Sequence, residues 1–191
     1  MASAPSSKPT RWIALLRGIN VGGHRKLPMA ELRALAQSLG WSDATTYVQS
    51  GNLVFGAMGG AAELNRTLAE AIADRFGFDV PVAVCSREDW ARYAQGGAFP
   101  EAEAARPKAL HIGLPARHGV KVTAAMAQAL APYCVKGERA LAKHGALWVD
   151  FEGGISGTKV TPAVLDRVVG APVTMRNWNT VQALAALAAK P

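Results

Sequence analysis

Apolar and polar positions switch between two periods along the chain, and each switch marks an element. Trp12–Arg17 is a short apolar run, read as a buried strand, and a glycine-punctuated basic loop, GINVGGHRK, follows it. Pro28 suits a first helical position. Met29, Leu32, Leu35, Ala36 and Leu39 then share one helical face, which Gly40 ends. Thr45–Gln49 and Asn52–Phe55 are β-rich, and Ser50-Gly51 between them reads as a tight hairpin turn. Leu64, Leu68, Ala71, Ile72 and Phe76 mark a second helix stopped by Gly77. Val80–Cys85 is a further strand, and Ser86 with Asp89 has the form of a capping box for a short helix.

The same order then returns. Lys108–Leu114 reads as a strand, and Thr123–Ala131 as a helix capped by Thr123. Val135–Lys143 and Ala146–Phe151 form a hairpin turning at His144-Gly145. Thr161-Pro162 supplies an N-cap and a first helical position, with Val164, Leu165 and Val168 facing inward and Gly170 after the end. Val173–Met175 closes the pattern, and an alanine-rich helix runs from about Trp178 to Ala189. The expected class is therefore α+β: a tandem pair of ferredoxin-like (β-α-β-β-α-β) units with an extra C-terminal helix. Residues 1–10 form a tail, 11–95 the first unit, 96–107 (GGAFPEAEAARP) a linker, and 108–191 the second unit with the extra helix.

Composition narrows the function less than the fold. The 191 residues are 50% hydrophobic and 18% charged, enough to bury a core, with no solenoid repeat. No apolar run approaches the roughly 18 residues of a membrane span, and the opening MASAPSSKPT lacks the hydrophobic stretch of a signal peptide. Cys85 and Cys134 have no nearby ligand partner and read as reduced thiols of a cytoplasmic protein. The formal charge of +7 favours acidic partners, although its positive residues are spread along the chain.

Four segments, LLRGINVGG at 15–23, YVQSGNLVF at 47–55, RFGFDVPV at 75–82 and RNWNTV at 176–181, resemble the domain of unknown function 1697 family of bacterial proteins. The resemblance implies two ferredoxin-like units in tandem and brings no established activity with it. One stretch departs from the family's frequent Gly-Ile-Gly-Arg-Ser-Lys pattern: residues 154–159 read GISGTK, with Gly157 where an arginine is common.

In a β-α-β-β-α-β unit the end of the first strand, the following loop and the hairpin tip share one edge. That edge collects Arg17, Gly18, Asn20, Gly22, Gly23, His24, Arg25, Lys26, Gln49, Ser50 and Asn52. A glycine loop opening a helix offers free amides, and Arg17 a planar fork, so the edge is a candidate site for a small phosphate- or carboxylate-bearing ligand. The competing assignment makes these residues structural: asparagines bonding backbone in turns, and Arg17 tied to a carboxylate such as Glu31. A weaker second cluster comprises Lys159, Arg176, Asn177, Trp178 and Asn179, where Asn177 or Asn179 is a natural helix N-cap and Trp178 suits a core.

Known signatures are missing. His24 and Arg25 stand where a P-loop has lysine and Ser/Thr, and GINVGG lacks the dinucleotide register. The four histidines and two cysteines show no metal-ligand spacing, so no metal or cofactor is assigned, and no catalytic set is visible. Two further readings compete with a small anionic ligand. A protein-interaction module would use the final helix, and a nucleic-acid binder would be of RRM type, with only Trp12 and Phe55 as stacking aromatics.

Overall fold

The computed structural model describes residues 9–190, so nearly all of the expected tail lies outside the described residues. Two four-stranded antiparallel sheets carry the chain. The first contains β1 (Thr10–Leu16), β2 (Ser42–Tyr47), β3 (Asn52–Ala57) and β4 (Val82–Ser86), in the order β2-β3-β1-β4. The second contains β5 (Leu110–Pro115), β6 (Arg139–Lys143), β7 (Ala146–Asp150) and β8 (Val173–Asn177), in the order β6-β7-β5-β8. Seven α-helices connect them among the described residues: α1 (Met29–Ser38), α2 (Ala61–Phe76), α3 (Arg87–Ala94), α4 (Pro100–Ala105), α5 (Ala124–Gln128), α6 (Pro162–Val169) and α7 (Trp178–Ala188).

Both faces of the central strands are covered, which explains why β1 and β3 read as unbroken apolar runs. On β1, Trp12, Ala14 and Leu16 point to the side of α1 and α2, while Ile13 and Leu15 point the other way. That second face shares a core with Leu110, Ile112 and Leu114 of β5 and Trp148 of β7. Helices α3 and α7 fill the space between the sheets, with Trp90, Trp178, Val181 and Leu184 in the shared core. The Trp90 indole donates to the Val181 carbonyl at 3.0 Å. The outer face of the second sheet, with Leu147 and Val149, packs against Leu130 and against Leu165 and Val169 of α6. The alanine-rich final helix thus buries one face, with Trp178, Val181, Leu184 and Ala188, in the shared core and keeps Asn179, Gln182 and Ala186 exposed.

Several boundaries move for local reasons. β2 ends at Tyr47 because Val48 adopts φ +50°, turning the chain before Gln49. β6 begins only at Arg139: Gly137 has φ +85°, and Glu138 folds back to accept from the Lys136 amide. The helix expected over Thr123–Ala131 is a five-residue α5 followed by a 3₁₀ turn at Ala131–Tyr133, where Pro132 interrupts the ladder. Residues 96–107 are no loose connection either. They include α4, bury Phe99 and Ala102, and hold Arg106, which grips the fully buried Asp150 carboxylate on β7 together with Arg139.

Candidate functional site

The loop after β1 and the first hairpin tip lie side by side. The Leu16 amide donates to the Gly51 carbonyl at 2.8 Å, and the Asn20 side-chain amide donates to the Gln49 carbonyl at 2.9 Å. Asn20, at φ +56°, also holds the next segment, donating to the Leu27 carbonyl and accepting from its amide. Between those anchors the chain makes a small turn. Gly22 and Gly23 sit at φ +60° and +78°, the pair of left-handed residues a tight reverse turn needs, and His24 bonds back to Val21. The result is a convex finger in which residues 21–26 are all exposed. Helix α1 starts at Met29, so the glycines stand off from its N-terminus and the His24, Arg25 and Lys26 side chains project into solvent.

The polar residues behind the finger hold the two units together. Arg17 pairs with Asp166 on α6 at 2.6 Å, and the same carboxylate oxygen accepts from the Val173 amide at 2.9 Å. Glu31, the partner considered from sequence, instead meets Arg75. In the opposite direction Arg176 of β8 enters the first unit. Its guanidinium donates to the Asn52 side-chain oxygen and to the carbonyls of Leu16, Ser50 and Gly51, while Thr174 and Met175 take the remaining donor. Arg176 is buried with no carboxylate among these partners, and burial lowers its pKa to about 10, still protonated at neutral pH. Gly51 lets the hairpin tip lie directly against the first strand and its loop, because an added Cβ would stand 2.7 Å from both Leu16 and Ile19 side-chain atoms. Arg176 thereby joins the second cluster to the first.

The rest of that second cluster is separate. Asn177 caps α7, accepting from the Thr180 amide at 3.0 Å, and Trp178 packs on Trp148 with ring centroids 5.9 Å apart. Asn179 and Lys159 are exposed, and among the described residues no hydrogen bond joins 156–159 to 176–179. Thr158 turns to Glu138 instead. The Lys136 ammonium covers Gly157, where a Cβ would meet it at 2.7 Å.

A concave site lies elsewhere, between the units. β4 and α3 form one wall, and the segment after β5 with the β6–β7 turn forms the other, enclosing a cleft of about 370 Å³. Its rim carries Arg92, Arg117, His118, Lys121 and His144; Asp89, which pairs with Arg92 at 3.0 Å, is the one carboxylate lining it. Among the described residues the side chains of Arg117, His118, Lys121 and His144 make no hydrogen bond or salt bridge. At the floor, the Tyr93 ring is largely buried, while its hydroxyl reaches solvent and has no hydrogen-bond partner among the described residues. Burial, and then the neighbouring Cys85 and Asp89, push the Tyr93 phenol up, so it remains a donor at neutral pH. Burial and then Asp89 likewise keep the Cys85 thiol protonated, which makes it a poor nucleophile. Among the described residues no group of His, Cys, Asp and Glu could hold a metal ion.

Sequence reasoning missed this cleft because its parts come from three distant segments. Only Arg117-His118 and Lys121, close together in a glycine-bearing loop, offered a local signal.

A search among curated proteins finds no match to the chain. Among solved structures, the conserved bacterial protein SP0830 from Streptococcus pneumoniae is similar, with a TM-score of 0.69 at 26% sequence identity. The alignment covers 94% of this chain and 98% of that one. The family model described as "Protein of unknown function (DUF1697)" matches residues 10–148, a span that takes in three of the four motifs and stops before RNWNTV. The chain belongs to that family.

Proposed function

We propose that the protein binds a small anionic ligand, phosphate- or carboxylate-bearing, in the cleft between its two units. The observation that carries this reading is a concave cleft whose rim holds the unpaired Arg117 and Lys121 side chains above a solvent-accessible, unpartnered Tyr93 hydroxyl. A donor at the floor and charged donors above it are the groups an oxyanion needs, and a recess excludes water from the contacts. The finger at 21–26 keeps three cationic or imidazole side chains but offers no recess, and Arg17, Asn20 and Asn52 already have protein partners. The class of ligand expected from sequence is retained; its place moves.

The competing readings lose the surfaces that motivated them. The apolar face of helix α7 is taken up by the protein's own core, with Val181, Leu184 and Ala188 buried. Trp12 and Phe55 lie under α1 and α2, with Phe55 stacked on Trp41 at 4.1 Å, so no sheet face is open for bases to stack on. We infer further that both units are ferredoxin-like: strand orders 2-3-1-4 and 6-7-5-8, all antiparallel, with helices after the first and third strands, support that assignment. Both cysteines are free, in keeping with a cytoplasmic location, and no described helix is long and apolar enough to cross a membrane.

The test is a titration with inorganic phosphate and citrate followed by thermal unfolding. Wild-type protein gains stability with either anion, and Arg117→Ala with Lys121→Ala abolishes the gain while leaving the unliganded melting temperature within about 2 °C, as exposed substitutions do. An unchanged gain in the double variant refutes the reading.

A further inference from the structure

The wall formed by β4 adds a constraint on the ligand that charge alone does not. β4 is an edge strand, paired only with β1. The Arg17 amide donates to the Pro81 carbonyl, so in the antiparallel register Leu15–Ala83 and Ile13–Cys85 are the hydrogen-bonded pairs. The backbone groups of Val82, Val84 and Ser86 therefore point away from β1. Val82 is already closed off, because its carbonyl accepts from the Asn65 side chain. Ser86 is the N-cap of α3, where the strand ends. Val84 is left with both its N–H and its C=O directed outward, neither bonded among the described residues, at a position that lines the cleft.

Resting on the cleft reading above, we propose that the ligand is a short acidic peptide segment, which adds to the free edge of β4 as an extended strand. One donor and one acceptor on the same side of a strand are matched by the N–H and C=O of a single residue in another extended chain. A simple phosphate or sugar acid can meet one of these groups but lacks the paired amide donor and acceptor of an extended chain. The closed positions on both sides of Val84 limit the segment to about three residues, roughly 10 Å at 3.3 Å per residue. The cations at Arg117 and Lys121 fix the sign of its side chains or terminal carboxylate. Tyr93 then donates to an acceptor at the floor.

The probes are an acetylated Glu-Val-Glu peptide with a free carboxylate, the same peptide N-methylated at each residue in turn, and inorganic phosphate. Binding to the wild-type chain is followed by amide NMR and hydrogen exchange. The unmethylated peptide is expected to slow exchange of the Val84 amide about tenfold or more. One of the methylated analogues should bind at least about fivefold more weakly, as the loss of a single hydrogen bond predicts. Phosphate should shift the Arg117 and Lys121 amides and leave Val84 exchange unchanged. If phosphate binds there while the peptide leaves Val84 unprotected, or all the methylated analogues bind as well as the parent, the peptide assignment is overturned and the cleft reading stands. If neither probe perturbs the cleft, both fail.

Discussion

Arg176 carries more hydrogen bonds than any other side chain described, and all of them go to neutral oxygens. A guanidinium suits this position because its planar fork reaches several carbonyls at once, whereas an ammonium is a single point. Replacing it with methionine keeps the bulk, strands the Ser50 carbonyl and the Asn52 side-chain oxygen, and leaves the Leu16 carbonyl only the distant Thr174 hydroxyl. The expected cost is about 3 kcal/mol in urea unfolding, since bonds from a charged donor contribute ~1.5–3 kcal/mol each; a loss under about 1 kcal/mol would show that the clasp is dispensable. His111 gives the pH dependence. Burial holds its imidazole below the ordinary histidine range, Arg176 acts in the same direction, and the bond to the Ala109 carbonyl only partly opposes them. The unfolded chain therefore takes up the proton first, and stability is lost as pH falls below about 6.5. Urea unfolding at pH 7 and pH 5 should show a drop in wild type that is smaller in His111→Gln; equal drops would mean that other groups govern the acid limb.

At the scale of elements, the first hairpin holds its turn against the preferences of one residue. Val48 is half exposed at φ +50°, a conformation that costs a β-branched L-residue on the order of 1–2 kcal/mol. Val48→Gly is expected to raise stability by about 1 kcal/mol in chemical unfolding, and a destabilised variant would contradict the strain. This turn also shows what could be read from residues in order. The first hairpin, although its turn spans 48–51 and not Ser50-Gly51 alone, the Ser86 and Thr161 caps and the glycine stops at Gly77 and Gly170 are set by neighbours within four positions, so local patterning reaches them. Helix α4 escaped because its anchor, Arg106 on Asp150, spans 44 residues and two elements. The Arg17–Asp166 pair spans 149 residues, and Glu31 was merely the nearest plausible carboxylate along the chain. The polar edge was legible as a place, from topology. The jobs of its residues were not, because the second unit supplies their partners.

At the scale of the molecule, the two units form one body. Arg17 reaches out of the first and Arg176 into it, and α7, last in sequence, lies between the two sheets. Residues of three of the four motif segments, at 15–23, 47–55 and 176–181, meet at this crossing, which accounts for them as architecture. Clasping the sheets in this way leaves the basic cleft on their other flank, where β4 faces the loop after β5. The two polar regions divide into a clasp and a proposed site, and amide NMR during an inorganic phosphate titration separates them most directly. Saturable shifts at Tyr93, Arg117, Lys121 and Gly145, with Gly22, Gly23 and Lys26 unmoved, are the predicted result. Saturable shifts confined to residues 20–26 would contradict it.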